Sequence, residues 1–244
     1  MRQRHCVNLF YIFILIFYNS CLRFKDTPES IKAKDIGEQT HISTLSFNIL
    51  STVDASAITK GYQSWDIRKK NVFAHIESKD TDLIAIQETS PSQLSEFKKR
   101  FRKKYHIFDN EAYSSDVSIL VKKQKFDVLE KGHYILEKPT NLTRMRRLAV
   151  WAKLKDKLTQ KELMVVSVHI DNNKWKKEQI KKLLQKLSYN TQTQAPVFIL
   201  GDFNSDTKSD NYNFIIKNGF KDSYIKKSKE QLGTYPAKKP QKRI

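Results

Sequence analysis

From His41 onward the chain is a succession of short apolar runs, each closed by polar residues, with amphipathic stretches between them. A run of four to six apolar residues is too short for a buried helix and the right length for a buried strand. Its alternation with helix-period stretches predicts a layered α/β fold. Residues 42–50 read as the first strand, with Leu45, Phe47 and Ile49 on one face. Trp65, Val72, Phe73 and Ile76 then fall on one side of a helix, and residues 83–86 form a second, fully apolar strand. Ser90 is a plausible N-cap, Pro91 suits a first helical turn, and Gln93 completes a capping box ahead of the stripe Leu94, Phe97, Phe101. Further strands are predicted at 117–121, 126–129, 148–154, 163–170 and 197–200. A helix is predicted at 174–187, with Ile180, Leu183, Leu184 and Leu187 facing inward. The expected architecture is two sheets packed face to face with helices outside.

The N-terminus has a different character. Arg2, Arg4 and His5 precede an almost unbroken apolar run from residue 7 to 18, and Asn19-Ser20-Cys21 follows. That order predicts a secretory signal peptide over residues 1–21; a membrane anchor or a buried strand is the competing reading. Cys21 sits where a bacterial lipoprotein carries its acylated cysteine, so it is the candidate lipidation site and membrane attachment point. Residues 22–39 are polar and would serve as a tether, leaving 40–244 as one folded domain. The expected location is outside the cytoplasm, as an envelope lipoprotein or a secreted protein. Cys6 and Cys21 are the two cysteines, so the domain must be held by its core rather than by disulfides. At 244 residues and 39% hydrophobic content the chain can build such a core, and a monomer is expected.

The net charge is +19, and removal of a leader would take away only Arg2 and Arg4. Such a field attracts polyanions: nucleic acid, phospholipid or surface glycan. The lysines are scattered, however, and Lys-rich usage can follow from genome composition. Charge alone names no partner.

Four of the apolar strands end in polar residues that packing does not require. Ser46-Phe47-Asn48 closes the first, Gln87-Glu88 the second, His169-Ile170-Asp171 the strand from 163, and Gly201-Asp202-Phe203-Asn204 the strand from 197. Strand ends on a rigid sheet are where binding and catalytic groups collect. Residues two apart on an extended segment point the same way, so Asp202 and Asn204 can share a cleft while Phe203 turns into the core. Glu88 beside amide oxygens is a hard-oxygen set suited to Mg²⁺ or Mn²⁺. The ion would polarise a phosphoryl oxygen, Asp202 could deprotonate a water, and His169 could donate to the phosphate. Taken singly each motif has a plainer reading: Glu88 as a helix cap, His169 as a core histidine, residues 201–204 as a turn. Their joint occurrence, each after an apolar strand, favours the chemical one.

These segments resemble the endonuclease/exonuclease/phosphatase family of metal-dependent phosphoesterases, over nearly the whole chain from Ile42. The resemblance implies a four-layer α/β sandwich of two mainly antiparallel sheets flanked by helices. It implies Asn48 and Glu88 as metal ligands, His169 and Asn204 as phosphate-binding catalytic groups, and Asp202 as the water-orienting acid. Residues 65–68 and 147–151 also resemble family segments and read as scaffold. Mg²⁺ or Mn²⁺ is the implied cofactor and a phosphate ester, including nucleic acid, the implied substrate.

Gly233-Thr234-Tyr235-Pro236 and Lys242-Arg243-Ile244 resemble the approach to an Asp-x-Ile strand that the family follows with a Ser-Asp-His element. The domain is therefore expected to be incomplete at its C-terminus, lacking its last strand and closing Asp and His. Loss of such groups would lower the rate by about 10²–10⁴-fold. The leading expectation is an exported phosphoesterase, nuclease-like before sphingomyelinase- or phospholipase-C-like. The competing class is a non-catalytic basic surface protein that binds nucleic acid or other polyanions.

Overall fold

The computed structural model describes residues 14–16, 41–52, 62–110, 114–136, 147–172, 174–190 and 195–223. The elements run β1 (Ile14–Ile16), β2 (Thr44–Asn48), α1 (Trp65–Lys79), β3 (Leu83–Gln87), α2 (Pro91–Phe101), β4 (Tyr105–Asn110) and β5 (Ser114–Lys122). They continue with β6 (Phe126–Ile135), β7 (Leu148–Asp156), β8 (Glu162–His169), α3 (Lys176–Asn190), β9 (Val197–Asp202), α4 (Asp210–Lys217) and β10 (Phe220–Asp222). One sheet has the order β10-β1-β9-β8-β7-β6 and the other β2-β3-β5-β4. The β2–β3 and β8–β9 pairs are parallel and the remaining pairs antiparallel.

Strand parity builds the layers. Leu83, Ala85, Val117, Ile119 and Val121 face across to Val150, Ala152, Leu163, Val165, Phe198 and Leu200, forming a core between the sheets. The opposite faces are covered by helices. Leu45, Phe47, Ile84 and Ile86 pack on Val72, Ile76, Phe97 and Phe101 of α1 and α2. Met164, Val166, Val168 and Ile199 pack on Ile180, Leu183, Leu187 and Ile215 of α3 and α4. The result is the four-layer sandwich expected from the sequence. Among the described residues, no helix is long and apolar enough to cross a membrane.

The capping box at α2 forms as read: Ser90 Oγ accepts from Gln93 N, and Gln93 Oε1 accepts from Ser90 N. Three elements have no counterpart in the sequence reading: β4, α4 and β10. β4 is an edge strand whose Tyr-His-Ile-Phe-Asp-Asn run mixes polar and apolar residues, so it lacks the period that marks a half-buried strand. β6 extends six residues beyond the apolar stretch that announced it, again along an edge where polar side chains are tolerated. Ile14–Ile16, inside the segment read as a leader, lies antiparallel between β9 and β10. Residues 1–13, Cys21, the tether and the C-terminal motifs from 233 onward lie outside the described residues.

Pairing register places the site. Asn48 is opposite Gln87, Gln87 opposite Val117, Ala149 opposite Val168, and His169 opposite Asp202. Positions 48, 88, 116, 147, 169 and 202 therefore gather at one end of the sandwich.

Candidate active site

Asn48, Glu88 and Asp202 meet although they are far apart in the chain. The Asn48 Nδ2 group donates to Glu88 Oε1 at 2.7 Å and to Asp202 Oδ2 at 3.1 Å. Asn48 Oδ1 accepts from Leu50 N at 3.1 Å, and Glu88 Oε2 accepts from Ser51 N at 3.4 Å. Glu88 thus faces the cleft, and Ser90 is the residue that caps α2. Two carboxylates from different sheets converge on one donor.

The second half of the site is a buried charge network. His169 is 6% exposed, and its Nδ1 lies 3.0 Å from Asp116 Oδ2. Arg147 pairs through Nη1 with Asp116 and through Nε with Asp171 Oδ1 at 2.5 Å. Gln179 of α3 closes the network, its Nε2 donating to Asp171 Oδ2 and its Oε1 accepting from Asp171 N, both at 2.9 Å. Arg147 Nη1 is also 3.1 Å from His169 Nδ1. A guanidinium has only donors, so a protonated Nδ1 gives its hydrogen to Asp116 while Arg147 serves the two carboxylates.

The charges set each other. Burial works against ionisation of Asp116, but the charges of His169 and Arg147 and their hydrogen bonds outweigh it and bring its pKa down to about 2. Burial likewise opposes the imidazolium of His169, yet Asp116 overcomes it and raises the pKa above the ordinary histidine value. The pair thus favours the protonated form of His169, whose Nε2 lies 3.4 Å from Asn204 Nδ2.

Asp202 and Asn204 come together, but not by strand alternation. β9 ends at Asp202, and Asn204 adopts φ 48°, so a tight turn replaces the expected extended segment. Asn204 N donates to Asp202 Oδ1 at 2.8 Å, and Asn204 Nδ2 donates to Ile170 O at 2.8 Å. Asp and Asn bond locally to backbone in this way and tolerate the left-handed region. Phe203 is buried beneath, as read. Gly201 precedes the turn because no side chain fits: a Cβ there would lie 2.1 Å from Val168 O. Leu50 (φ 61°) and Glu88 (φ 58°) are also left-handed. Such strain, of about 1–3 kcal/mol per residue, persists where the surroundings over-determine it.

Sequence reasoning missed Asp116 and read Arg147 as scaffold. Asp116 lies among the first residues of β5 and Arg147 just before β7, whereas the sequence motifs stand where strands end. β5 runs antiparallel to β3, and β7 to β8, so their first residues arrive at the end where β3 and β8 finish. Lys176, at the start of α3, was also overlooked; its Nζ donates to Asn204 O, and it is half-buried near Asp202 and Asp206.

The donor set fits a hard divalent cation. Glu88 and Asp202 already share one hydrogen-bond donor, the neutral Asn48 amide, which leaves two carboxylates together that a cation could hold as their common partner. Among the described residues, no group of three or more His, Cys, Asp and Glu forms a metal cage. Two carboxylates with amide oxygens suit Mg²⁺, which keeps several waters, better than an ion needing a closed protein shell. Asn48 turns its nitrogen to the carboxylates here, so service as an oxygen ligand needs a half-turn of its amide.

The profile of the endonuclease/exonuclease/phosphatase family matches residues 45–244. No curated protein matches the sequence. Among solved structures, a mannosyl-6-phosphatase from Bacteroides thetaiotaomicron is similar at TM-score 0.64 and 22% identity, covering 73% of this chain and 71% of that one. ANGEL2, a 2',3'-cyclic phosphatase bound to adenosine-2',3'-vanadate, is similar at TM-score 0.64 and 23% identity, covering 72% and 57%. TDP2 from D. rerio, bound to a single-stranded DNA product, is similar at TM-score 0.56 and 19% identity, covering 73% and 64%. At these identities the likeness establishes the fold, and the profile match establishes the membership: the chain belongs to the endonuclease/exonuclease/phosphatase family.

Proposed function

We propose that this protein is an exported, divalent-metal-dependent hydrolase of phosphate esters. The supporting observation is the convergence of Glu88 and Asp202 on one donor at the sheet end where the Asp116–His169 pair stands. A bound Mg²⁺ or Mn²⁺ at Glu88, with Asn48 beside it, would supply charge for the phosphoryl oxygen and the leaving oxygen. Asp202 orients a water and takes its proton as the new O–P bond forms and the ester P–O bond breaks. Protonated His169 donates Nε2–H to a non-bridging phosphate oxygen, held in place by Asp116. Asn204 adds its amide N–H to the same phosphate.

The similar structures are described as acting on a sugar phosphate and a cyclic phosphate and as holding a DNA product; the feature they share is a phosphate ester. The +19 charge tilts the substrate toward nucleic acid. A phospholipase-C-like substrate fits the same chemistry and an exported location. We place the protein outside the cytoplasm through the leader over residues 1–21, whose removal would take β1 out of the sheet, with a lipid on Cys21, which radiolabelled palmitate incorporation lost in Cys21→Ala would test.

The functional test is hydrolysis of single-stranded DNA, a bis-nitrophenyl phosphodiester and a nitrophenyl phosphomonoester, with Mg²⁺, Mn²⁺ or EDTA. Metal-dependent turnover is expected, reduced at least ~10²-fold in Glu88→Ala and Asp202→Ala. Turnover indifferent to EDTA, or unchanged in both variants, would overturn the site. The same charge supports a second reading, a non-catalytic polyanion binder, which predicts salt-sensitive, metal-independent DNA binding and no turnover.

A further inference from the structure

We infer that Arg68, which lies in the outer helix layer, is a positioning residue for the Asn48–Glu88 side of the cleft, acting through the backbone of residues 49–51. The inference rests on the proposed metal-dependent reading of that cleft. Arg68 stands in the first turn of α1, and its guanidinium leaves the helix to grip the chain that follows β2. Nη1 donates to Ile49 O at 2.5 Å, Nη2 to Leu50 O at 3.0 Å, and Nε to Gln63 O at 2.8 Å. Its plane lies over Trp65, 5.6 Å from the ring centroid. Leu50 O takes a second donor, Gln93 Nε2, at 3.1 Å.

The opposite edge of the same backbone faces the site. Ser51 N reaches Glu88 Oε2, and Leu50 N holds the Asn48 side-chain oxygen, a bond that the half-turn of the Asn48 amide would give up. The carbonyls are thus fastened from the helix side while the N–H groups are aimed at the two side chains. Leu50 is held at φ 61°, a conformation a leucine keeps only when its neighbours impose it. Two successive carbonyls suit a planar fork of donors, which arginine has and lysine lacks.

An ordinary surface ion pair does not account for Arg68. Lys69, next to it, takes both nearby acids, Asp66 at 2.7 Å and Glu96 at 3.2 Å. Burial weighs against the Arg68 charge, and the nearby Glu88 carboxylate favours it, which links the guanidinium electrostatically to the same ligand. The consequence is that the Glu88 carboxylate is oriented from outside the cleft by a group that touches neither metal nor substrate.

The test is calorimetric Mn²⁺ binding to the full chain as wild type, Arg68→Ala and Arg68→Lys, with thermal melts alongside. Groups that orient metal ligands are worth about 10–100-fold in affinity, so that weakening is expected in Arg68→Ala. Arg68→Lys should recover part of it, because one ammonium cannot span both carbonyls. Millimolar guanidinium should restore Arg68→Ala to within a few-fold of wild type while leaving wild type unchanged. A purely structural role would lower the melting temperature without that rescue. Affinity within twofold of wild type in a cooperatively melting Arg68→Ala would overturn the inference. If Arg68→Ala does not fold, wild-type affinity in Arg68→Lys would overturn it instead. Absence of Mn²⁺ binding in the wild type would defeat the metal-dependent reading and the inference together, whereas wild-type binding with unaffected variants defeats the inference alone.

Discussion

Asp116 and His169 hold opposite charges in a nearly dry setting, and each stabilises the folded state only while both are ionised. The Asp116 pKa lies at about 2, below the ~3.9 of an unfolded chain. Its contribution, of about 2 kcal/mol, is present above pH ~4 and disappears as pH falls toward 2. His169 is shifted the other way: its contribution is full below its unfolded pKa of ~6.5 and is lost as pH rises through the raised folded value. Thermal melts across pH should therefore show a stability plateau between these limits. Asp116→Asn should flatten the acid limb and remove the alkaline loss, because Asp116 is the main group that raises the His169 pKa against burial. An acid limb identical in wild type and Asp116→Asn would show that other carboxylates govern it. Glu88, His169, Asp202 and Asn204 were legible because each follows an apolar run; Asp116 was not, since an Asp ahead of the apolar run of its strand is locally indistinguishable from a turn residue.

Among the elements, β9 and its exit turn are the least replaceable. Gly201 lets β9 approach β8 so closely that Ile170 N reaches Asp202 O at 2.8 Å, bringing His169 beside Asp202. Gly201→Ala would force a Cβ against the Val168 carbonyl, which backbone cannot yield cheaply. It should cost about 3 kcal/mol or more, seen as a shifted denaturant midpoint, and disturb His169 as well. A midpoint within the error of wild type would contradict the packing described. The contrast with β4 and β6 is instructive. Apolar runs betrayed β3, β5, β7, β8 and β9, because strands covered on both faces need apolar side chains throughout. The edge strands β4 and β6 carry polar residues and hide in the pattern, whereas β2, at an edge but buried, was legible.

At the scale of the whole molecule, the two-sheet core supplies rigidity and the surface supplies charge. The core needs no cysteine, and the charge of +19 is distributed over an exterior where lysines meet acids in exposed pairs, such as Lys181 with Glu178 and Lys157 with Asp127. Exposed pairs of this kind contribute little each, so the net field rather than any pair governs encounters with polyanions. Binding of single-stranded DNA should weaken steeply between 50 and 200 mM salt, by roughly tenfold or more. Salt-independent binding would mean that contacts other than phosphate neutralisation dominate.

By itself the sequence determined the layered α/β class, the strands β2, β3, β5, β7, β8 and β9, the α2 cap, and that Asn48, Glu88, His169, Asp202 and Asn204 each stand where an apolar run ends. These follow from short-range rules: period, capping geometry, and the placement of polar residues after apolar strands. Only the tertiary structure decided that Asp116 and Arg147 join His169, that Asn204 reaches the site by a left-handed turn, and that Arg68 grips the backbone behind Asn48 and Glu88. The physical reason is strand direction and layer stacking: antiparallel pairing brings the start of one strand to the end of another, and no local pattern records which strands are neighbours.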